Sequence, residues 1–99
     1  MVRVQWSHRA LNRVQQIHNY IAFDSPDTAR KFVHRLIQSA DRLLQMPLSG
    51  RMVPEFEIEQ VREVIKGNYR IIYRIVSTTD VHILTVMHSS QLLKFEDIN

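Results

Sequence analysis

Residues 61–88 constrain the fold of this chain most, because three short runs of alternating apolar and polar side chains are separated there by turn-forming residues. Neighbouring side chains of a strand point to opposite faces, so the middle run is predicted to direct Arg70 and Arg74 from one face and its tyrosines from the other. The segments 66–68 and 77–80 contain Gly, Asn, Ser and Asp residues, which favour tight turns. The pattern therefore predicts three antiparallel strands joined as a meander.

Two amphipathic helices are predicted before this meander. Residues 2–6 alternate as an opening strand does, Ser7 is a typical N-cap, and apolar residues then recur at helical spacing as far as Asp24. A second helix is predicted to begin at Ser25-Pro26-Asp27, which combines a capping hydroxyl, a proline at the first helical position and a carboxylate near the positive helix end.

The predicted element order is β-α-α-β-β-β, with a loop at 47–54 and an acidic connector at 55–60 before the meander. Each helix has an apolar stripe to bury, so we expect an α+β fold in which a helical hairpin packs on a small antiparallel sheet. Trp6 and the tyrosines of the middle strand are interpreted as core residues. A chain of this length is expected to form a single domain, 1–99.

The composition excludes several kinds of site. The chain has no cysteine, which removes disulfides, thiolate catalysis and cysteine-ligated zinc, and its histidines lack the spacing of metal ligands, so no metal and no cofactor is expected. The sequence contains neither a long apolar run nor a signal-peptide pattern, so we expect no membrane span and a cytoplasmic location. The net charge of +3 favours an anionic partner, either nucleic acid or an acidic protein segment.

The meander also supplies candidate functional residues. They are the charged and imidazole side chains of its strands: Arg62 or Glu63, Arg70, Arg74 and His88. If they lie near one another on the sheet, they could bind phosphate or a carboxylate-rich peptide. The alternative is a solvated sheet face with scattered charges, which is the commoner situation for a lone pair of arginines.

A series of short motifs extends over about residues 3–93. The motifs are Trp6-Ser7, Asp24-Ser25-Pro26, the loop PLSGRMVPE at 47–55, Arg62-Glu63, the strand YRIIY at 69–73, and Val86-Met87-His88. In this order they resemble the ParE/RelE superfamily of type II toxins. The resemblance implies a small toxin that a cognate antitoxin, ParD-like or other, neutralises by wrapping a helix and an extended tail around it in a hetero-oligomer.

The superfamily divides into two activities. The resemblance implies either inhibition of DNA gyrase without hydrolysis, as in ParE-like members, or cleavage of mRNA in the ribosomal A site, as in RelE-like members. The Gly50-Arg51 and 53–55 loop, the two long helices and the Arg62-Glu63 pair are more similar to ParE. We therefore expect a ParE-like toxin of the plasmid-stabilisation type, in which the C-terminal segment Leu92–Asn99 and a basic surface contact gyrase. That surface is expected to consist of Arg51, Arg62, Arg70, Arg74 and His88.

A ribosome-dependent endoribonuclease is the first alternative. RNA cleavage through the 2′-hydroxyl needs a base, a cation for the phosphorane charge and a group that protonates the leaving oxygen. RelE-like members use lysines before the YR strand and a tyrosine near the C-terminus. Here residues 61–65 contain no lysine, Lys66 falls in the turn, and Phe95 lies about where the tyrosine is expected.

A second nuclease subgroup, similar to YoeB, uses a glutamate, the YR arginine and a histidine at the end of the last strand. In this chain Glu55 or Glu63 would supply the carboxylate, Arg70 the phosphate clamp and His88 the general acid. A further alternative is a degenerate toxin that only binds its antitoxin or regulates its operon. Residues 89–91, Ser-Ser-Gln, suggest it, because many relatives carry basic residues just after the histidine.

Overall fold

The computed structural model describes residues 2–99. Its elements are β1 (Arg3–Trp6), α1 (His8–Ala22), α2 (Pro26–Asp41) with a 3₁₀ turn (Arg42–Leu44), β2 (Arg51–Met52), β3 (Val61–Lys66), β4 (Tyr69–Ile75), β5 (Asp80–His88) and α3 (Phe95–Ile98). The strands form one sheet in the order β1-β5-β4-β3-β2, with α1 against β5 and α2 against β3. The predicted α+β fold, a helical hairpin packed on a small sheet, is confirmed.

Both long helices begin where the sequence predicts. The Ser7 hydroxyl accepts a hydrogen bond from the backbone N–H of Ala10 at 3.0 Å, and Ser25 accepts one from Thr28 at 3.2 Å. Pro26 occupies the first turn of α2. Among the described residues, 2–99, no helix is both long enough and apolar enough to cross a bilayer.

The sheet differs from the prediction at both of its edges. The meander β3-β4-β5 is antiparallel as expected, but β1 pairs parallel with β5, from Arg3 opposite Asp80 to Trp6 opposite Ile83. β2 is a two-residue strand inside the segment interpreted as a loop, and it pairs antiparallel with β3. Neither feature has a local signal, because the direction of a neighbouring strand depends on the path of the connections and two residues are too few for an alternation pattern.

The face of the sheet that lies under α1 and α2, here called the helix-side face, carries the larger buried cluster. It contains Ile71 and Tyr73 of β4 together with Leu36 of α2, and Trp6 and Tyr69 pack against it. The tyrosines of β4 therefore lie on the face opposite Arg70 and Arg74, as their alternation predicts. The interpretation of Tyr73 as a core residue is confirmed, because its side chain is fully buried.

The opposite face, here called the outer face, is also covered. A smaller buried cluster lies there, formed by Val53, Val61, Ile72, Met87, Leu93 and Ile98, with Phe56 and Ile58 packed against it. The covering residues come from the connector before β3 and from the chain after β5. Arg70 and Arg74 share this face with Ile72, so the alternative of a solvated face with scattered charges is wrong for Arg70, which is only 5% exposed.

Candidate functional site

Four charged side chains meet on the outer face, where β2, β3 and β4 lie side by side. The strand register sets Arg51 opposite Glu63 and Glu63 opposite Ile72, so Arg51, Glu63 and Arg70 point to the same face. Glu55 reaches them from the connector that follows β2. We call Arg51, Glu55, Glu63 and Arg70 the ion network.

Arg70 lies at the centre of the ion network. Its Nε donates to Glu63 Oε1 at 2.5 Å, and its Nη1 and Nη2 donate to the two oxygens of Glu55 at 2.6 and 2.7 Å. Nη1 also donates to the carbonyl oxygen of Gln91 at 3.2 Å. The other oxygen of the buried Glu63 accepts from Arg51 Nε at 2.5 Å. Two cations and two anions are thus joined, and their charges sum to zero.

The pairing strongly favours the charged forms. Hydrogen bonding from Arg70 lowers the pKa of Glu55 to about 2, although burial opposes the shift, and the backbone N–H of Leu93, 2.8 Å from Glu55 Oε2, lowers this pKa further. Hydrogen bonds to Glu55, and then to Glu63, raise the pKa of Arg70 above its usual range. The pair formed by Arg70 and Glu55 therefore stays ionised at neutral pH and fixes the segments that it joins.

Arg62 and Arg74 bind backbone carbonyl groups. Arg62 lies opposite Tyr73 in the register, which places it on the helix-side face, and its Nη1 donates to the carbonyl oxygen of Gly50 at 2.9 Å. Arg74 lies on the outer face, and its Nη2 donates to the carbonyl oxygen of Ile98 at 2.9 Å. The two guanidinium groups hold the loop before β2 and the end of the chain, respectively.

His88 lies on the other side of the sheet from the ion network. It is paired with Tyr69, and the two rings make an edge-to-face contact with their centroids 5.4 Å apart. The backbone N–H of Ser90 donates to His88 Nδ1 at 3.1 Å, and the hydroxyl oxygen of Ser90 lies 2.7 Å from the same nitrogen. Ser90 therefore holds the imidazole ring through one of its two nitrogens.

The predicted row of charged side chains is therefore divided between two faces. Arg70 and Arg74 lie with Glu63 on the outer face, while Arg62 and His88 lie on the helix-side face. These side chains therefore do not form one cluster, because Arg62 is paired with Tyr73 and His88 with Tyr69, and both tyrosines point away from the face of Arg70. The backbone groups that complete the network come from the chain after β5, and no sequence signal marks them.

The loop before β2 is held by the hydroxyl of Tyr73. This hydroxyl donates to the carbonyl oxygen of Pro47 at 2.6 Å and accepts from the N–H of Gly50 at 3.0 Å. A Cβ at Gly50 would lie 2.6 Å from the hydroxyl oxygen and 2.6 Å from the backbone oxygen of Glu63, so this approach requires glycine. Burial raises the pKa of Tyr73, which keeps its hydroxyl able to donate. The loop thereby places Arg51 beside the network.

Two hollows adjoin the candidate residues. The first, of about 430 Å³, opens above the ion network between Pro54, Ile65 and residues 89–92. The second, of about 510 Å³, lies on the helix-side face and is lined by Gln16, Ile17, Tyr20, Asn68, Tyr69 and His88. The lining of the first hollow combines charged, polar and apolar side chains, whereas the second is lined by the rings of Tyr20, Tyr69 and His88, so the two would accept different groups.

Comparison with known proteins assigns this chain to a family. Residues 4–93 match the family described as the ParE toxin of the type II toxin–antitoxin system parDE. The chain belongs to the ParE toxin family. Y4kP of Sinorhizobium fredii, whose name classes it as a toxin, is 42% identical over 91 residues, which are 90% of each chain. Toxin RelE2 of Caulobacter vibrioides is 32% identical over 92 residues, which are 93% of this chain and all of that one.

Solved structures of toxin–antitoxin systems contain the same fold as this ParE-family toxin. A chain of the chromosomal ParDE system from P. aeruginosa superposes with a TM-score of 0.72 at 21% identity, over 89% of this chain and 96% of that one. A chain of the RelBE2 complex from Mycobacterium tuberculosis superposes with a TM-score of 0.63 at 23% identity, over 88% of this chain and 96% of that one. The resemblance to the ParE/RelE superfamily is therefore confirmed, and the protein is a toxin of a type II toxin–antitoxin system.

Proposed function

We propose that this ParE-family toxin acts by binding a protein target, DNA gyrase, and inhibits it without cleaving a bond. The observation that carries the proposal is the state of Arg70. A guanidinium has five N–H donors, and here one on Nε, two on Nη1 and one on Nη2 are engaged, so four of the five have partners. A phosphate clamp needs free donors and positive charge, whereas this guanidinium is buried and is neutralised by two carboxylates.

The position of His88 supports the same proposal. One ring nitrogen of His88, Nδ1, is already in contact with the backbone N–H and the hydroxyl of Ser90, at 3.1 and 2.7 Å. His88 also lies on the opposite face of the sheet from Arg70 and both candidate glutamates. One substrate phosphate would have to contact both faces for these residues to act together.

The target contacts that we propose lie at the margin of the outer face. Arg51 is the exposed cation of the ion network, with its side chain 65% accessible. Leu92 and Phe95 of the C-terminal segment are also exposed, at 76% and 62%. In this proposal Arg70 and Arg74 contribute indirectly, because Arg74 holds the carbonyl oxygen of Ile98 in that segment and Arg70 holds the carbonyl oxygen of Gln91, the residue before it.

We also propose a cognate antitoxin that neutralises the toxin in a hetero-oligomer. The helical hairpin supports this, because Leu11 of α1 and Ile37 of α2 lie at similar distances from the turn between the helices and are 51% and 41% exposed. Apolar side chains at one level of two antiparallel helices suit the apolar face of a partner helix. The pair would act in the cytoplasm, where gyrase lies, and could stabilise a plasmid that carries both reading frames.

The antitoxin proposal is tested by titrating the toxin with the purified product of the neighbouring reading frame in a calorimeter. Ile37→Glu is expected to weaken binding, because it places an unpaired charge in an apolar contact, whereas Gln38→Glu, next to it on the exposed side of α2, is expected to bind as the wild type does. Equal affinity of the wild type and Ile37→Glu would contradict docking on the hairpin. No measurable binding by the wild type would contradict the antitoxin itself.

A ribosome-dependent endoribonuclease is the second candidate, favoured by the 32% identity to Toxin RelE2 and by the close approach of Arg70 to Glu55 and Glu63. One experiment separates the two candidates. Purified toxin, His88→Gln and Arg70→Ala are assayed for inhibition of gyrase supercoiling and for mRNA cleavage on translating ribosomes. We expect gyrase inhibition by the wild type and by His88→Gln, with intact mRNA. Codon-periodic cleavage that both substitutions abolish would overturn the proposal, and inactivity in both assays would favour the degenerate toxin suggested by residues 89–91.

A further inference from the structure

The chain after β5 is held on the outer face through its backbone. From here on, the C-terminal segment Leu92–Asn99 is taken together with Gln91, the residue before it. Leu93 and Ile98 are buried in the smaller cluster, whereas Leu92 and Phe95 are mostly exposed. The segment thus has an inward side that packs on the sheet and an outward side that presents two large apolar side chains.

Three arginines hold carbonyl oxygens of this segment. Arg70 of β4 donates to Gln91, Arg9 of α1 donates to Glu96 at 2.9 Å, and Arg74 of β4 donates to Ile98. These hydrogen bonds involve only backbone oxygens of the segment, so they fix its path without depending on its side chains. The outward side chains are therefore free to serve another purpose.

Glu55 connects the segment to the ion network. Its Oε2 accepts from Arg70 Nη1 at 2.6 Å and from the backbone N–H of Leu93 at 2.8 Å. Arg70 in turn is fixed by the buried Glu63 and also holds Gln91. Gln91 and Leu93 flank Leu92, so the pair formed by Arg70 and Glu55 grips the backbone on both sides of the exposed Leu92.

The hollow above the ion network completes this surface. Its lining includes Leu92, Ile65 and Pro54 together with Glu55 and Arg70. Ile65 is 48% exposed. An apolar side chain of about leucine or phenylalanine size fits a hollow of about 430 Å³ and would contact Leu92 and Ile65 together.

We propose that Glu55 and Arg70 are positioning residues, which latch the C-terminal segment so that Leu92 and Ile65 form an apolar seat for a side chain of the target protein. This inference rests on the proposed function, since the target is the gyrase surface proposed above. It assigns the two residues a role in recognition, which they exert through Leu92. Loss of the latch leaves the core of the helix-side face in place but weakens the hold on residues 91–93, including Leu93 of the smaller cluster.

The test compares Glu55→Gln with Glu57→Gln, the same change at an exposed glutamate two residues further along the connector. Amide hydrogen exchange is measured by NMR at Leu93 and at Ile71 of the core, and gyrase inhibition and antitoxin affinity are measured on the same samples. A third variant, Leu92→Ser, alters the exposed side chain and leaves the latch intact. We expect Glu55→Gln to speed exchange at Leu93 by about tenfold or more, because a charged hydrogen-bond acceptor is lost, with little change at Ile71.

In the same variant, gyrase inhibition is expected to fall by at least about tenfold, while antitoxin affinity stays at the wild-type value. Leu92→Ser is expected to lose inhibition with exchange at Leu93 unchanged, and Glu57→Gln is expected to match the wild type in every assay. Unchanged exchange at Leu93 in Glu55→Gln would overturn the latch. Faster exchange with full inhibition would overturn the positioning role, while an inactive wild-type toxin would instead overturn the proposed function.

Discussion

On the helix-side face of the sheet, apolar side chains from two helices and three strands pack together, with Leu36, Ile71 and Tyr73 fully buried. On the outer face, a smaller apolar cluster is joined to an ion network, and it is covered by a loop-like connector and by the C-terminal segment with its one-turn helix α3. The first face is specified by many interchangeable apolar contacts. The second depends on a few charged groups whose geometry must be satisfied together.

The difference supports the proposal that the target contacts lie on the outer face. An apolar face under two helices tolerates substitutions that conserve volume, and its contacts are already complete within the chain. The outer face is covered by two short segments with exposed apolar side chains at their edges, and charged groups fix the paths of both segments. Charge pairing therefore positions the segments on the outer face, whereas helix packing positions the elements on the helix-side face.

The largest effect is expected for Glu63→Gln, which tests whether the outer face depends on charge pairing. The amide N–H₂ would face the guanidinium groups of Arg51 and Arg70, leaving buried charge unpaired, and the free energy of unfolding should fall by about 3 kcal/mol. Urea denaturation measures this change. Leu36→Ala on the helix-side face should lower the free energy of unfolding by about the same amount, because apolar packing is lost.

Glu59→Gln is the control for Glu63→Gln, because Glu59 is exposed on the connector, and its stability should equal that of the wild type. If Glu63→Gln is as stable as the wild type, the outer face is held by its apolar cluster and the contrast between the two faces disappears.

A somewhat smaller loss is expected for Gly50→Ala, which acts at the boundary between the faces. The added methyl would overlap the Tyr73 hydroxyl and the backbone of Glu63, so the loop must move and the free energy of unfolding should fall by about 2 kcal/mol. Thermal and urea unfolding would both detect it. Ser49→Ala, at the exposed neighbouring position, is the matched control and should be neutral. A neutral Gly50→Ala would mean that the Tyr73 contact does not fix the loop.

Glu55→Gln is expected to have a moderate effect on stability that depends on pH, unlike substitutions on the helix-side face. The pKa of Glu55 is about 2 in the folded protein and 4.5 ordinarily, so its ion pair contributes stability above about pH 4.5 that is lost as the pH falls towards 2. The stability difference between the wild type and Glu55→Gln should therefore shrink between about pH 5 and about pH 3 in urea titrations. The cost of Leu36→Ala should stay constant over this interval. A constant difference for Glu55→Gln would show that its carboxylate is not held ionised by Arg70.

The smallest effect is expected for Arg3→Ala at the edge of the sheet. Arg3 forms an ion pair with Asp80 at 2.9 Å, but the arginine side chain is 74% exposed. The pKa of Asp80 is lowered by the Thr79 hydroxyl and by Arg3, yet solvent screens such a pair, so the thermal unfolding midpoint should stay within experimental error. A clear decrease would show that surface pairs matter here as much as the ion network does.

The sequence by itself determined the parts of this protein that local periodicity encodes. The two capped helices, the meander and the division of β4 between Tyr73 and Arg70 each follow from side chains spaced along one element. Gly67, with its φ of 59°, forms the turn between β3 and β4 where the sequence places one. The ordered motifs also sufficed for the superfamily, because they lie on these same elements.

Only the tertiary structure decided which of the charged residues meet. Glu55 bonds to Leu93, 38 positions away, and β1 pairs with β5 across most of the chain, so neither contact could be derived from local spacing. The placement of His88 opposite Tyr69, away from Arg70, follows from the strand register. Periodicity reports which side of its own element a residue occupies, whereas a site requires the relative positions of elements, and those are fixed by packing and long-range hydrogen bonds.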